Sequence, residues 1–136
     1  MQPLKLIWVI DDDPIFTFLT ETQLSELYSH VKVHSFSNGH EAYEELKKRI
    51  TEEADLPDLI LLDINMPVMD GWEFIEEYKA IMGQFDQQVF VFMVSSTIDI
   101  KEIETAKNHE NIEGFISKPV VMDELVKMID ASTKGS

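Results

Sequence analysis

The chain contains no cysteine, few basic residues and no long apolar run, and each absence excludes a class of protein. Without cysteine there is neither a disulfide framework nor a thiolate metal site. The 11 basic residues face 26 acidic ones, and the net charge of −15 disfavours binding to nucleic acid or anionic membranes. No apolar stretch approaches the roughly 20 residues of a membrane span, and the N-terminal segment lacks a signal-peptide cleavage site. We therefore expect a cytoplasmic protein that binds neither nucleic acid nor membrane.

Length and composition are typical of a single globular domain. The chain has 136 residues, of which 44% are hydrophobic, enough for a substantial core. It shows no internal repeat, long linker or low-complexity segment. We expect residues 1–136 to form one domain, with no output domain after it.

Short apolar runs alternate with amphipathic segments along the chain. Several runs are apolar throughout, which is typical of parallel strands covered on both faces. The predicted strands are Leu4–Ile10, Val31–Phe36, Leu59–Leu62, Val89–Val94 and Gly114–Ile116. The predicted helices are Pro14 to about Tyr28, Gly39 to about Ile50, Gly71–Met82, Asp99 to about Asn108 and Val121 to about Ala131, with Asp13 and Asn38 as N-caps. This alternation predicts an α/β fold with a doubly wound, five-stranded parallel sheet.

Four of the predicted strands run directly into polar side chains. Asp11 and Asp12 follow the first strand, Asp63 the third, Ser95 the fourth and Lys118 the fifth. The carboxyl ends of parallel strands share one edge, where open α/β sheets bind ligands. If the first and third strands are neighbours, three carboxylates meet there, and they cannot all stay ionised without compensation. A hard cation with oxygen ligands, such as Mg²⁺, would supply that compensation.

Each of these residues also has a simpler interpretation. Acids after the first strand favour the positive end of a helix dipole, Ser95 can be a plain strand-terminal hydroxyl, and Lys118 can be an exposed turn residue. A calcium loop over residues 63–74 is excluded because Val68 stands where the sharp turn requires glycine. The order of the polar residues and their placement at strand ends together favour a functional site.

Four segments together resemble the response-regulator receiver domain, the CheY-like module of two-component signalling. They are IWVIDDDP, LILLDINMPVMDGWEF, FMVSS and GFISKP, and the resemblance covers nearly the whole chain. It implies a sheet with strand order 2-1-3-4-5. It also implies that Asp63 is the phosphoacceptor and that Asp11, Asp12, Asp63 and the backbone carbonyl of Asn65 hold Mg²⁺, with Asp12 rather than Asp11 as the expected direct ligand.

Further residues take their expected roles from the same resemblance. Ser95 and Lys118 would contact the phosphoryl group, and Lys118 would precede a cis peptide bond to Pro119. Ser95 departs from the commoner threonine but keeps the hydroxyl. Phe115 would be the switch aromatic, with core packing as the alternative.

The implied reaction is phosphoryl transfer to Asp63 from the phosphohistidine of a sensor histidine kinase or a histidine phosphotransfer protein. Phosphorylation would change the face formed by the fourth helix, fifth strand and fifth helix. A monomer or a phosphorylation-dependent dimer would then control a downstream protein or relay the phosphate, without being a turnover enzyme. An aspartate-based phosphatase would need an acid where Asn65 stands, and a flavin-binding protein would need a Ser/Thr/Gly-rich loop after the first strand.

Overall fold

A five-stranded parallel sheet with five α-helices forms the molecule, for which a computed structural model describes residues 4–134. The strands are β1 Leu6–Ile10, β2 Lys32–Phe36, β3 Leu59–Asp63, β4 Phe90–Ser95 and β5 Gly114–Ser117. The helices are α1 Pro14–Leu27, α2 Gly39–Glu52, α3 Gly71–Ile81, α4 Ile100–Asn108 and α5 Met122–Lys134, with a 3₁₀ turn at Met82–Gln84. The bounds agree with the predicted ones to within three residues, and many are identical.

The strand order is β2-β1-β3-β4-β5, and every neighbouring pair is parallel. The predicted fold class and strand order are therefore confirmed. Because β1 and β3 are hydrogen-bonded neighbours, with Ile10 opposite Leu62, the residues that follow these two strands emerge side by side. This is the point at which the connections reverse direction along the sheet, where such folds bind their ligands.

Each face of the sheet buries its own apolar cluster. Side chains alternate between the two faces of a strand, so β1 and β3 contribute to both clusters. One cluster joins the sheet to α2 and α3 and includes Trp8, Ile10, Leu46, Ile60, Leu62 and Phe74. The other joins it to α1 and α5 and includes Ile7, Val9, Leu24, Leu61, Leu125 and Ile129. The central strands are thus buried on both sides, as their uniformly apolar sequences predict.

Short polar side chains fix the ends of several elements. The Asp13 carboxylate accepts hydrogen bonds from the backbone N–H groups of Ile15 and Phe16, and Asn38 accepts one from Glu41, so both predicted N-caps are confirmed. At the amino-terminal edge of the sheet, Asp58 immediately precedes β3. Its buried carboxylate accepts from the backbone N–H groups of residues 5 and 6 and from the side chain of Gln87, at 2.7–3.0 Å.

Candidate phosphoacceptor and metal site

Three carboxylates meet at the carboxyl edge of the sheet. Asp11 and Asp12 follow β1, Asp63 ends β3, and each offers an oxygen atom within 4.8 Å of the others. Asp11 and Asp63 are buried, whereas Asp12 is exposed. The register that places Ile10 opposite Leu62 produces this convergence. Within residues 4–134 no other group of three such side chains lies so close together.

Lys118 reaches the same cluster from the end of β5. Its Nζ lies 2.8 Å from Oδ2 of Asp11 and 3.9 Å from Oδ2 of Asp63. The peptide bond between Lys118 and Pro119 is cis, as predicted. The simpler interpretation of Lys118 as a solvent-facing turn residue is therefore wrong, since its side chain is only 19% exposed and pairs with two acids.

Burial and repulsion together raise the pKa of Asp63 into the neutral range. Burial is the largest cause that raises the pKa of Asp63 from 3.8 to about 7, the charge of Asp11 is the next, and Asp12 adds less. The Lys118 ammonium and a hydrogen bond from the Asn65 backbone lower the pKa, but they do not outweigh burial and the Asp11 charge. A further cation is therefore needed for Asp63 to be fully ionised at neutral pH.

The donor set of this cluster suits Mg²⁺. All three side chains offer carboxylate oxygens, the hard ligands that Mg²⁺ prefers, and the ion is commonly held by one or two carboxylates with water completing its shell. The exposure of Asp12 leaves one side of the cluster open to solvent. Asn65, also exposed, lies in the loop between β3 and α3, where its backbone carbonyl is the fourth predicted ligand.

Comparison with known proteins agrees with this geometry. Residues 7–130 match the family model described as "Response regulator receiver domain". The chain belongs to this family. As a member it is a receiver domain of two-component response regulators, and the predicted resemblance is confirmed.

Individual relatives of the receiver domain support the same assignment. The nitrate/nitrite response regulator protein NarL of Escherichia coli is 30% identical over 136 residues, which cover 98% of this chain and 57% of NarL. The chain thus spans little more than half of that relative. A two-component response regulator from Cytophaga hutchinsonii superposes with a TM-score of 0.83 at 25% identity, over 98% of this chain and 99% of its own. A response regulator receiver protein from Dyadobacter fermentans gives 0.73 at 28% identity, over 93% and 95%.

Ser95 is the last residue of β4 in the receiver domain, and Phe115 lies within the neighbouring strand β5. Ser95 is fully buried, and its Oγ accepts a hydrogen bond from the backbone N–H of Thr97 at 3.1 Å. The hydroxyl hydrogen is not used in that bond and can be donated. Phe115 is half-buried and packs against the cluster that includes Trp8. The predicted roles of both residues in phosphorylation stay predictions.

The sequence did not single out two residues that shape the site of the receiver domain. The centre of the Phe16 ring lies 4.5 Å from the Lys118 ammonium. The sequence predicts Gly71 only as the first residue of the third helix, yet a Cβ there would lie 2.5 Å from the carbonyl oxygen of Asp63. The Asp70–Gly71 pair signals the turn, but only the fold shows that the start of α3 lies against the end of β3.

No helix within residues 4–134 of the receiver domain has both the length and the apolar character needed to cross a bilayer.

Proposed function

We propose that this receiver domain accepts a phosphoryl group on Asp63 from the phosphohistidine of a sensor histidine kinase or a histidine phosphotransfer protein. An oxygen of the Asp63 carboxylate attacks phosphorus, the N–P bond breaks, and its electron pair stays with the imidazole. The product is an acyl phosphate on Asp63. The observation that carries the proposal is the position of Asp63 at the strand end, between two further carboxylates and an ammonium group.

The surrounding residues orient and neutralise the phosphoryl group. The Lys118 ammonium, 3.9 Å from the Asp63 carboxylate, is placed to neutralise phosphoryl oxygens. The Ser95 hydroxyl would donate a hydrogen bond to one of them. Asp11, Asp12, Asp63 and the Asn65 carbonyl would hold Mg²⁺, and of the pair that follows β1, Asp12 rather than Asp11 would bind it directly. The ion would neutralise charge on the phosphoryl oxygens and allow two anions to approach.

Exposed apolar side chains beside the site supply a surface for the phosphodonor protein. The first two turns of α1 follow the acidic pair directly, and they expose Ile15, Phe18 and Leu19 by 71%, 67% and 52%. Val68 and Ile98, in the loops after β3 and β4, are 77% and 92% exposed. Apolar groups exposed together commonly mark protein-binding sites. We infer that the phosphohistidine protein docks here, because its histidine must reach Asp63.

The proposed consequence is a change in a protein-binding surface, without catalytic turnover. Phosphorylation adds roughly −1.5 to −2 charge at neutral pH, to which Ser95 and Phe115 would respond, shifting the face of α4, β5 and α5 between two packings. The single domain, as a monomer or a phosphorylation-dependent dimer in the cytoplasm, would control a downstream protein or relay the phosphate. A turnover phosphatase is disfavoured because Asn65 provides no acid two residues after Asp63.

Acetyl phosphate with Mg²⁺ tests the proposal. We expect intact-mass spectrometry to show one added phosphoryl group on the wild type and none on Asp63→Asn. Beryllofluoride with Mg²⁺, a phosphoryl mimic, should bind the wild type alone. Label found by peptide mapping on Asp11 or Asp12, or equal binding of beryllofluoride by both proteins, would contradict the assignment of Asp63.

A further inference from the structure

Lys118 has a third neighbour besides the two carboxylates. Its ammonium lies 4.5 Å from the centre of the Phe16 ring, within the range of a cation–π interaction. The Lys118 side chain is only 19% exposed, so water competes little for the ammonium. Phe16 itself packs against the cluster that includes Ile7 and Val9. The ring is thus held by contacts that do not depend on Lys118.

The local chain builds this contact from Asp11, which belongs to the site, and from Asp13, which caps α1. The Asp13 carboxylate accepts from the backbone N–H groups of Ile15 and Phe16, at 3.0 and 3.3 Å, which fixes the first turn of α1. The Asp13 N–H in turn donates to Oδ1 of Asp11 at 2.9 Å. Asp11 therefore holds Lys118 with one oxygen and, through Asp13, the turn that carries the ring with the other.

The ring differs from the carboxylates in what it offers a metal ion. A divalent cation at the acidic cluster would compete with the ammonium for Asp11 and Asp63 and would repel it. An aromatic face attracts an ammonium through its quadrupole, but it supplies no oxygen ligand for Mg²⁺. The attraction between Phe16 and Lys118 therefore persists when the carboxylates are engaged elsewhere.

We propose that Phe16 is a positioning residue that retains the Lys118 ammonium in the site while a metal ion occupies the carboxylates. This inference rests on the proposed phosphorylation of Asp63, which Lys118 assists. Loss of the aromatic face lets the ammonium move toward solvent, and transfer slows. The strength of a cation–π interaction between partly exposed side chains corresponds to about a two- to fivefold change in the rate of phosphorylation when the contact is lost.

Progressive fluorination of the ring separates its electrostatics from its packing. Phe16 is replaced by phenylalanine analogues with one, two, three and five ring fluorines, which weaken the quadrupole while nearly preserving ring shape. The rate constant for phosphorylation by acetyl phosphate at saturating Mg²⁺ should fall stepwise, by about two- to fivefold across the series. In unphosphorylated protein with saturating Mg²⁺, where the carboxylates are engaged, the proton resonances of the Lys118 ε-methylene, shifted upfield by the ring, should move toward their ordinary position as fluorine is added.

Two backgrounds serve as controls. In Lys118→Met the rate should not depend on fluorine number, because no cation faces the ring. Tyr43 lies 4.7 Å from the ammonium of Lys47 on α2, so Tyr43→Leu removes a similar pair away from the site and should leave the rate unchanged.

The outcomes distinguish this inference from the proposed function. If the wild type takes up no phosphate, the proposed function fails, and the Lys118 resonances alone decide whether the ring holds the ammonium. If the wild type is phosphorylated but both rate and resonances are flat across the series, Phe16 has no positioning role. A slow Phe16→Leu variant together with a flat fluorine series also overturns the inference, because packing alone then explains the loss.

Discussion

Asp63→Asn should make the protein more stable at pH 8 while abolishing its phosphorylation. The pKa of Asp63 is raised from 3.8 to about 7 by burial and by Asp11. Below pH 3.8, the pKa of this carboxyl group in the unfolded chain, Asp63 is protonated in both the folded and the unfolded state and does not affect the free energy of unfolding. As the pH rises from 3.8 to 7, the folded state retains a proton that the unfolded state has lost, so stability falls. Above pH 7 Asp63 is ionised in both states, and the full loss of folding stability is present.

The size of the effect follows from that shift. About three pKa units at 1.36 kcal/mol each give roughly 4 kcal/mol as an upper limit at pH 8, and under 1 kcal/mol at pH 4. Asparagine has the same shape without the charge, and Lys118 keeps its partner Asp11 at 2.8 Å. At roughly 3 °C per kcal/mol for a chain of this size, the melting temperature should rise by on the order of 10 °C.

Thermal and urea unfolding of both proteins at pH 8 and pH 4 would measure this difference. Asp12→Asn is the matched control: Asp12 is exposed, so its gain should be much smaller. Addition of Mg²⁺ should stabilise the wild type and narrow the gap. Equal or lower stability of Asp63→Asn at pH 8, or a gap that is just as large at pH 4, would refute the reasoning.

Three further predictions concern residues around the sheet. Gly71→Ala should lower the free energy of unfolding in urea by about 1–3 kcal/mol and slow phosphorylation, because its Cβ would lie 2.5 Å from the Asp63 carbonyl oxygen. An unchanged urea midpoint would contradict this close approach. Gly83→Ala is the control, because a Cβ at that position meets nothing within 4 Å. Asp58→Ala should lower the free energy of unfolding in urea by about 2–4 kcal/mol, because it leaves backbone N–H donors without an acceptor. Equal stability would show that water takes the place of the carboxylate. The Trp72 indole N–H donates to Glu102 of α4 at 3.3 Å, so beryllofluoride with Mg²⁺ should change the fluorescence of a Trp8→Phe protein; no change would mean that α4 keeps this contact.

The convergence of the site could be predicted from sequence because it depends only on strand ends. Apolar runs locate the strands, parallel pairing puts their carboxyl ends at one edge, and Asp11, Asp63 and Lys118 stand at those ends. The ring contact of Phe16 could not be predicted. It depends on the angle at which α1 leaves the sheet and on the rotamer of Lys118, and neither has a signature in a residue pattern.

Element ends were also beyond prediction where long-range contacts set them. The first predicted strand extends back to Leu4, but β1 begins at Leu6 because the N–H groups of Lys5 and Leu6 bind the Asp58 side chain. A partner more than 50 positions away cannot be inferred from local propensity. The caps at Asp13 and Asn38 were predictable because their partners lie two or three residues on.

Two buried aspartates flank the apolar part of β3: Asp58 immediately precedes the strand and Asp63 ends it, and their surroundings are opposite in character. Asp58 accepts three hydrogen bonds at the amino-terminal edge of the sheet. Asp63 lies beside two other carboxylates at the carboxyl edge. A redesign selected only for thermal stability would keep Asp58 and replace Asp63. The resulting protein would be more stable but could no longer be phosphorylated at the proposed site.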